Sequence, residues 1–352
     1  MTPKITVCIV TYNQAAMLGE SIQSVLNQSY RDIKVLVLDD ASCDDTSQVV
    51  ASYRDDRLKY VRHEQNMGAV NNWNHAIALA ETEYVNVFHG DDRMFPWMIE
   101  NLMDVLGKNE NLAIAASGST LTMKPRRAPG KKTVAGKIYK RGDFAEEFIE
   151  RGCYTISAPS ITIRKRRLEK SGLRYRPEAG PAADAYFIAE ANKEGLDMFL
   201  IDSPLLEWRR HGKNWTDTSG FDSWFESIRK LEDLLRGIRP RADMSLWKYN
   251  YARWFLELAA EPIGRRTLSD EDFDLVENCR NRAAEAGYVV SDDEFRGAIV
   301  KGFLRTAIKE IGNGSGSLAD YKMRRRKIAG RGFKIPRLKE IGWFLEYAVL
   351  KR

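Results

Sequence analysis

Short apolar runs alternate with amphipathic stretches through the first third of the chain. The runs Ile5–Val10, Ile33–Leu38, Leu58–Arg62, Tyr84–Phe88 and Ala113–Ala116 are continuous rather than alternating, the pattern of strands covered on both faces. Between them, Ala15–Gln28, Thr46–Ser52, Ala69–Ala80 and Pro96–Leu106 carry apolar residues at helical spacing. Strand and helix in alternation predict βαβ units and an α/β protein built on an open, mostly parallel sheet. In such sheets ligands bind beyond the carboxyl ends of the strands. The polar residues just after each strand are therefore the ones to inspect.

The stretch 121–142, rich in Lys, Arg, Gly and Pro, reads as a loop or irregular hairpin. After it come a helix near Asp143–Arg151, a strand near Ile161–Arg164, a helix near Ala183–Glu194 and two strands near Asp197–Ile201 and Leu205–Trp208. From about Phe221 helical periodicity takes over, in Phe221–Ile238, Met244–Ala260, Asp270–Ala286, Asp292–Ile311 and Ile341–Leu350, with a brief strand signal at Tyr288–Val290. This change places a boundary near 215–222 and predicts two domains, 1–220 α/β and 221–352 helical.

Hydrogen-bonding side chains collect after the predicted strands. Strand one runs into Thr11-Tyr12-Asn13, and strand two into Asp39-Asp40-Ala41-Ser42-Cys43-Asp44-Asp45-Thr46. Strand three is followed by His63-Glu64-Gln65-Asn66-Met67-Gly68, and strand four by His89-Gly90-Asp91-Asp92. Adjacent carboxylates repel, and burial raises their pKa values unless a cation or a donor-rich ligand offsets it. Hard oxygen ligands favour Mg²⁺, Mn²⁺ or Ca²⁺, and a diphosphate supplies further oxygens. An aromatic ring (Tyr12) beside a carboxylate (Asp40) can stack on and hydrogen-bond a nucleobase. Plainer roles compete: Asp44 or Asp45 caps the following helix, Asp39 binds main-chain amides, and Asp91-Asp92 caps the helix after Pro96.

Charge and composition change this picture little. The 352 residues carry a net charge of +6, with 43% hydrophobic and 30% charged residues, ordinary for a globular protein. The excess charge gathers at Lys322, Arg324, Arg325, Arg326, Lys327, Arg331, Lys334, Arg337 and Lys339. Such a cluster is either a solvated helix face or a surface for an anionic partner. The tail that follows, Ile341–Leu350, suits a helix lying on anionic lipid, a docked helix, or a homodimer contact. The cysteines Cys8, Cys43, Cys153 and Cys279 show no metal or disulfide spacing. No signal peptide or membrane span is evident, so a cytoplasmic protein is expected, with peripheral contact at the inner face of the membrane if the tail binds lipid. GxGxxG, GxxxxGK[ST] and GxSxG motifs are missing, which disfavours dinucleotide-dependent, P-loop and serine-hydrolase chemistry. A nucleic-acid binder has only charge in its favour.

Together the quoted segments resemble the family 2 glycosyltransferases, inverting enzymes of the GT-A fold. Ile5–Asn13 is similar to the family's opening strand and Thr-Tyr-Asn turn, and Leu38–Thr46 to its D-D-x-S-x-D-x-T stretch. Ser21–Gln28 is similar to its first helix, and Asn66-Met67-Gly68, Trp73-Asn74 and Ala80 to its N-x-G … N … A segment. Ala183-Asp184 resembles its E-D step at a helix start, and Glu207–His211 its Y-R-x-H strand end; the resemblance runs from Ile5 to about Thr216. It implies the GT-A nucleotide-diphospho-sugar transferase fold, a nucleotide-diphosphate sugar donor (UDP most often), a divalent metal (Mn²⁺ or Mg²⁺), and a glycan or lipid-linked acceptor. It implies Asp184 as catalytic base. Thr11, Tyr12, Asn13, Asp40, Asn74, Asp91, Arg209 and Arg210 fall in the donor site, and Asp92, Asp91 and His211 near the metal. Ser157 and Ser160 fall in the acceptor region. The chain departs from the pattern twice: His89 and Ala183 stand where many members carry acids. His89 either ligates the metal or hydrogen-bonds the acidic pair. With two acids replaced, the rival to an active enzyme is an inactive sugar-nucleotide-binding scaffold.

Overall fold

The computed structural model describes residues 4–122, 134–152, 156–209, 211, 214–259, 270–300, 304 and 318–330. Its contacts divide the chain into two compact units. The first holds 1–149, 154–218 and 227–242, and the second holds 150–153, 219–226 and 243–352.

The first unit is a nine-stranded sheet flanked by helices. Its elements begin β1 (Ile5–Thr11), α1 (Ala15–Leu26), β2 (Ile33–Asp39), α2 (Thr46–Ala51), β3 (Leu58–Arg62), α3 (Ala69–Leu79) and β4 (Tyr84–His89). A two-residue β5 (Arg93–Met94), α4 (Met98–Lys108), β6 (Leu112–Thr122), β7 (Gly136–Tyr139) and α5 (Asp143–Arg151) follow. The rest is β8 (Thr162–Arg164), α6 (Lys165–Ser171), α7 (Ala183–Lys193), β9 (Asp197–Arg209) and the short α8 (Trp215–Thr218). The sheet order is β3-β2-β1-β4-β8-β6-β9-β5, with β7 beside β9. The pairs β1·β2, β1·β4, β2·β3 and β6·β9 are parallel; β8, β5 and β7 run antiparallel to their neighbours. All seven residues of β1 are buried, as continuous apolar runs require when helices cover both faces. Ile9, Val37 and Phe88 of the sheet join Leu18, Ile22 and Val25 of α1 and Met98, Leu102 and Leu106 of α4 in one core.

Register makes the site. Thr11 lies level with Asp39, Asp39 with Arg62, and Val10 with His89, so β1 to β4 end flush. β9 runs parallel to β6, and β6 and β4 are both antiparallel to β8. The carboxyl end of β9 at Arg209 therefore reaches the same edge. The structure joins the two strands expected after residue 196 into the single β9, and β6 is longer than the expected Ala113–Ala116. Tyr288–Val290 forms no strand; Tyr288 and Val290 are buried.

The second unit is helical, with the start of α9 (Phe221–Ile238), α10 (Ser245–Ala259), α11 (Asp270–Glu285), and helical segments at 292–300 and Leu318–Gly330. Its core is aromatic. Trp224 meets Trp254 edge-on at 4.5 Å, and Phe225, Phe255 and Tyr288 close around each other. Trp224 is 8% exposed and belongs to this core. No helix among the described residues is long and apolar enough to cross a membrane.

Candidate active site at the carboxyl edge of the sheet

The turn after β4 is held from two sides. Gly90 donates its N–H to the Val10 carbonyl at 2.9 Å. A Cβ on Gly90 would stand 2.8 Å from the Gln14 amide oxygen and 2.9 Å from Thr11 Oγ1, so this position needs glycine to let β1 approach. From the other side Arg209 grips the turn. Its Nε donates to the Asp91 carbonyl at 2.6 Å, and its Nη2 to the carbonyls of Asp92 and Met17 at 3.2 and 3.0 Å. Nη1 pairs with Glu20 at 3.1 Å. The guanidinium, expected in the donor site, is thus occupied as a clamp on the main chain.

The two acids differ. Asp91 is buried and accepts His211 Nε2 and Asn214 Nδ2 at Oδ2, both at 3.1 Å. Burial alone would raise its pKa, but the His211 hydrogen bond and the nearby His89 and His211 rings outweigh it and hold the carboxyl below its usual range. Asp92 is wholly buried. Its Oδ1 accepts the Arg209 N–H at 3.0 Å, while Oδ2 has no hydrogen-bond partner. Burial first and the Asp91 charge second push Asp92 well above the ordinary carboxyl value. His89 Nδ1 is 3.9 Å from Asp92 Oδ2, beyond hydrogen-bond reach, so the expected hydrogen bond to the acidic pair is not made. Its ring stacks on Trp73 instead, at 5.2 Å, and burial lowers the pKa of its imidazole against the pull of the Asp91 charge. Ligand atoms of His89, Asp91 and Asp92 lie within 4.8 Å of one another. A buried, unpartnered carboxylate oxygen beside an ionised carboxylate is a donor set that fits a hard divalent cation.

The ends of β1 and β2 form the neighbouring wall. Thr11 Oγ1 donates to Gln14 at 3.1 Å. Asn13 adopts a left-handed φ of 53° and is cross-tied to the next loop: its N–H donates to Ser42 Oγ, and its Oδ1 accepts the Cys43 N–H at 2.8 Å. Asp40 is buried, its carboxylate accepting the N–H groups of Met67 and Gly68 at 2.8 and 3.0 Å. Tyr12, 47% exposed, presents its ring to solvent beside these loops. The plainer role of Asp39 is seen: it accepts the Ser42 N–H and the Tyr60 hydroxyl. Asp44 accepts the N–H of Thr46, the first residue of α2, and that of Ala15 at the start of α1.

Asp184 stands in the first turn of α7, just past a kink where Gly180 takes φ 60° and ψ −143°. Its Oδ1 accepts the Ala185 N–H at 2.8 Å. Burial pushes its carboxyl up to about 6, against those main-chain hydrogen bonds. The charge of Asp184 also helps raise the pKa of Tyr175, after burial. Asn74, expected at the donor, spends its amide on Tyr175: Nδ2 donates to the Tyr175 carbonyl at 2.8 Å and Oδ1 accepts its N–H at 3.0 Å.

In the acceptor region, the Ser157 N–H donates to the Ser117 carbonyl at 3.0 Å. Ser160 is fully buried, its hydroxyl exchanging hydrogen bonds with the Ser117 main chain, so it braces the fold and cannot meet an acceptor. Trp215 is 39% exposed and meets Trp73 edge-on at 6.0 Å. Arg210, the 123–133 part of the basic loop and the tail 341–350 lie outside the described residues. Sequence reasoning passed over Asn214, which is 5% exposed. Its amide donates to Asp91 and to the Arg209 carbonyl, and its Oδ1 accepts the His211 N–H at 2.9 Å. The available signal was an Asn three residues past His211, the spacing of a side chain that closes a turn on itself.

Comparison with known proteins agrees with this architecture. The model of the family described as "Glycosyl transferase family 2" matches residues 6–171, which stops short of Asp184 and His211. An uncharacterized glycosyltransferase of Haemophilus influenzae is 31% identical over 240 residues, 65% of this chain and 72% of that protein. A GalNAc(5)-diNAcBac-PP-undecaprenol beta-1,3-glucosyltransferase of Campylobacter jejuni is 34% identical over 104 residues, 29% of this chain and only 34% of that protein's length. Among solved structures, S. aureus TarS 1-349 in complex with UDP-GlcNAc superposes with a TM-score of 0.59 at 18% identity, covering 88% of this chain and 92% of that one. With 31% identity across 72% of the Haemophilus protein and the sheet architecture of the TarS structure, the chain belongs to glycosyltransferase family 2 and has the GT-A fold.

Proposed function

We propose that the protein transfers a sugar from a nucleotide-diphosphate donor, a UDP-sugar, to an acceptor hydroxyl with inversion at the anomeric carbon, in polysaccharide or glycoconjugate synthesis. One observation carries the reading: Asp92 presents a buried carboxylate oxygen without a partner next to ionised Asp91, at the edge where the parallel strands end. The UDP-GlcNAc complex of TarS supports the donor class, and the undecaprenol-linked substrate in the Campylobacter protein's name supports a lipid-linked glycan acceptor. We assign the reaction to the cytoplasmic side, with the basic tail as the membrane or homodimer contact.

Each residue then has a task. The exposed Tyr12 ring offers a face to the base, with Asp40 fixed beside it by two main-chain N–H groups. Asp91 and Asp92, with His211 or His89 alongside, would hold a divalent cation, Mn²⁺ or Mg²⁺, whose charge stabilises the leaving diphosphate. Asp184 takes the acceptor hydroxyl proton as the new bond forms, and a carboxyl near 6 is mostly ionised at neutral pH yet more basic than an ordinary one. A single displacement with one base inverts the anomeric centre.

The test is thermal-shift screening of UDP, GDP and ADP with Mn²⁺, followed by release of the nucleoside diphosphate from the matching sugar donors. Stabilisation by one diphosphate and turnover of its sugar donor are expected, because a ligand that binds only the folded state raises the melting temperature by mass action. Binding without turnover would leave the scaffold reading in place. Neither binding nor turnover would end both.

A further inference from the structure

We propose that Trp73 and Asn74 of α3 are positioning residues that set the separation between the acidic turn at Asp91-Asp92 and the base Asp184. The inference rests on the glycosyl-transfer reading and adds residues to it.

The geometry forms one continuous path. His89, directly before the acidic turn, stacks on Trp73 at 5.2 Å with the rings 19° apart. Trp73 meets Tyr175 edge-on at 5.3 Å, and Tyr175 stacks on Phe187 of α7 at 4.1 Å. Phe187 lies one helical turn beyond Asp184 on α7. Asn74, the next residue on α3, fixes the main chain of Tyr175 with its two reciprocal hydrogen bonds. Two consecutive residues of one helix therefore touch the element carrying the acids and the element leading to the base. The path is stiff: Trp73 is 7% exposed, Tyr175 2% and Phe187 fully buried, and close-packed rings transmit displacement rather than absorb it. It also gives His89 a purpose, because an aspartate there could not stack on Trp73.

Transfer needs the acceptor oxygen, anomeric carbon and base within a near-attack geometry, where a misplacement of about 1 Å costs about 100-fold in rate. A loosened path should slow the chemical step and leave nucleotide affinity alone. Donor contact by Asn74 would do the reverse, weakening UDP binding.

The experiment compares the unsubstituted protein with Trp73→Phe, Trp73→Ala, Asn74→Ala and the Trp73→Ala/Asn74→Ala pair. UDP affinity is read by calorimetry with Mn²⁺, and kcat and KM by UDP release from UDP-sugars. Trp73→Ala and Asn74→Ala should each lower kcat by about 10- to 100-fold, with UDP affinity and donor KM within about twofold of the unsubstituted protein. Trp73→Phe, which keeps a ring in the path, should retain most of the rate, and the double variant should fall less than the product of the singles. Unchanged kcat in either alanine variant overturns the inference, as does a matching loss of UDP affinity. If Trp73→Ala does not fold, Asn74→Ala decides by the same criteria. Turnover absent from the unsubstituted protein overturns the transferase reading and this inference together; turnover that is present and insensitive to both residues overturns this inference alone.

Discussion

Asp92 accepts the main-chain N–H of Arg209 at 3.0 Å, and the Arg209 guanidinium reaches back to the Asp92 carbonyl at 3.2 Å. The ends of β4 and β9 are locked by this exchange across 117 residues of sequence. The arginine neutralises the acidic turn from behind and leaves the unpartnered Oδ2 of Asp92 for a ligand.

Arg209→Lys should therefore be a severe substitution despite keeping the charge. A lysine ammonium is one compact donor centre and cannot span the Met17, Asp91 and Asp92 carbonyls and Glu20 at once. Leaving buried carbonyls unsatisfied costs about 1–3 kcal/mol each at most. We expect a loss of about 2–4 kcal/mol in chemical denaturation. If Arg209 instead served mainly the donor phosphate, stability would hold and only UDP affinity would fall.

Asp92→Asn should separate folding from cation binding. Asp92 is fully buried with its pKa pushed well up, so its charge burdens the metal-free fold. The neutral isostere should melt at the same temperature or higher in chelator. The increment added by Mn²⁺ and UDP, worth about 2.7 kcal/mol at 100 times Kd, should vanish. A full Mn²⁺-dependent increment in the Asp92→Asn protein would remove Asp92 from the cation site.

Asp184→Asn should trade activity for stability. The folded carboxyl is pushed up to about 6 from an ordinary 3.8. Its contribution to stability is therefore fully present below about pH 4 and is lost as pH rises through 6, an effect of about 3 kcal/mol at most. The substituted protein should escape that loss and be more stable than the unsubstituted one at pH 8, with the gap closing towards pH 4. Transfer in the unsubstituted protein should decline below about pH 6, as the base takes up its proton, and the amide variant should lose kcat by at least about 100-fold. Equal kcat at pH 8 would remove Asp184 as the base.

The sheet was legible because its strands are covered on both faces: Ile5–Val10 and Ile33–Leu38 read as strands from apolar content alone. The positions after the strands were legible too, and Asp91, Asp92, His211, Asp40 and Tyr12 do come to one edge. What those side chains do there was less legible. Arg209 and Asn74 carry donors that a sequence can assign to a ligand as readily as to a carbonyl, and only the fold shows the Asp91 and Tyr175 main chains occupying them. Ser160 was hidden the same way, as its burial depends on Ser117 43 residues away. β5 was too short to leave a pattern, and Asn214 acts through a turn whose hydrogen bonds no periodicity announces.

Gly90→Ala tests whether the acidic turn needs its close seat on β1. The added methyl would meet Thr11 Oγ1 at 2.9 Å, Thr11 Cβ at 3.0 Å and Gln14 Oε1 at 2.8 Å. Gln14 can swing away, but Thr11 is 3% exposed at the end of the central strand, so the turn must move instead. Overpacking of this kind costs about 1–3 kcal/mol, and the displaced Asp91-Asp92 pair should weaken Mn²⁺-dependent UDP binding by more than about tenfold. Gly107 in α4 is the control, since a Cβ there meets nothing within 4 Å. Gly107→Ala should stabilise the helix by about 0.5–1 kcal/mol and leave UDP binding unchanged. Equal UDP affinity in the two variants would mean that the turn tolerates displacement and that the seat on Thr11 is not what places the acids.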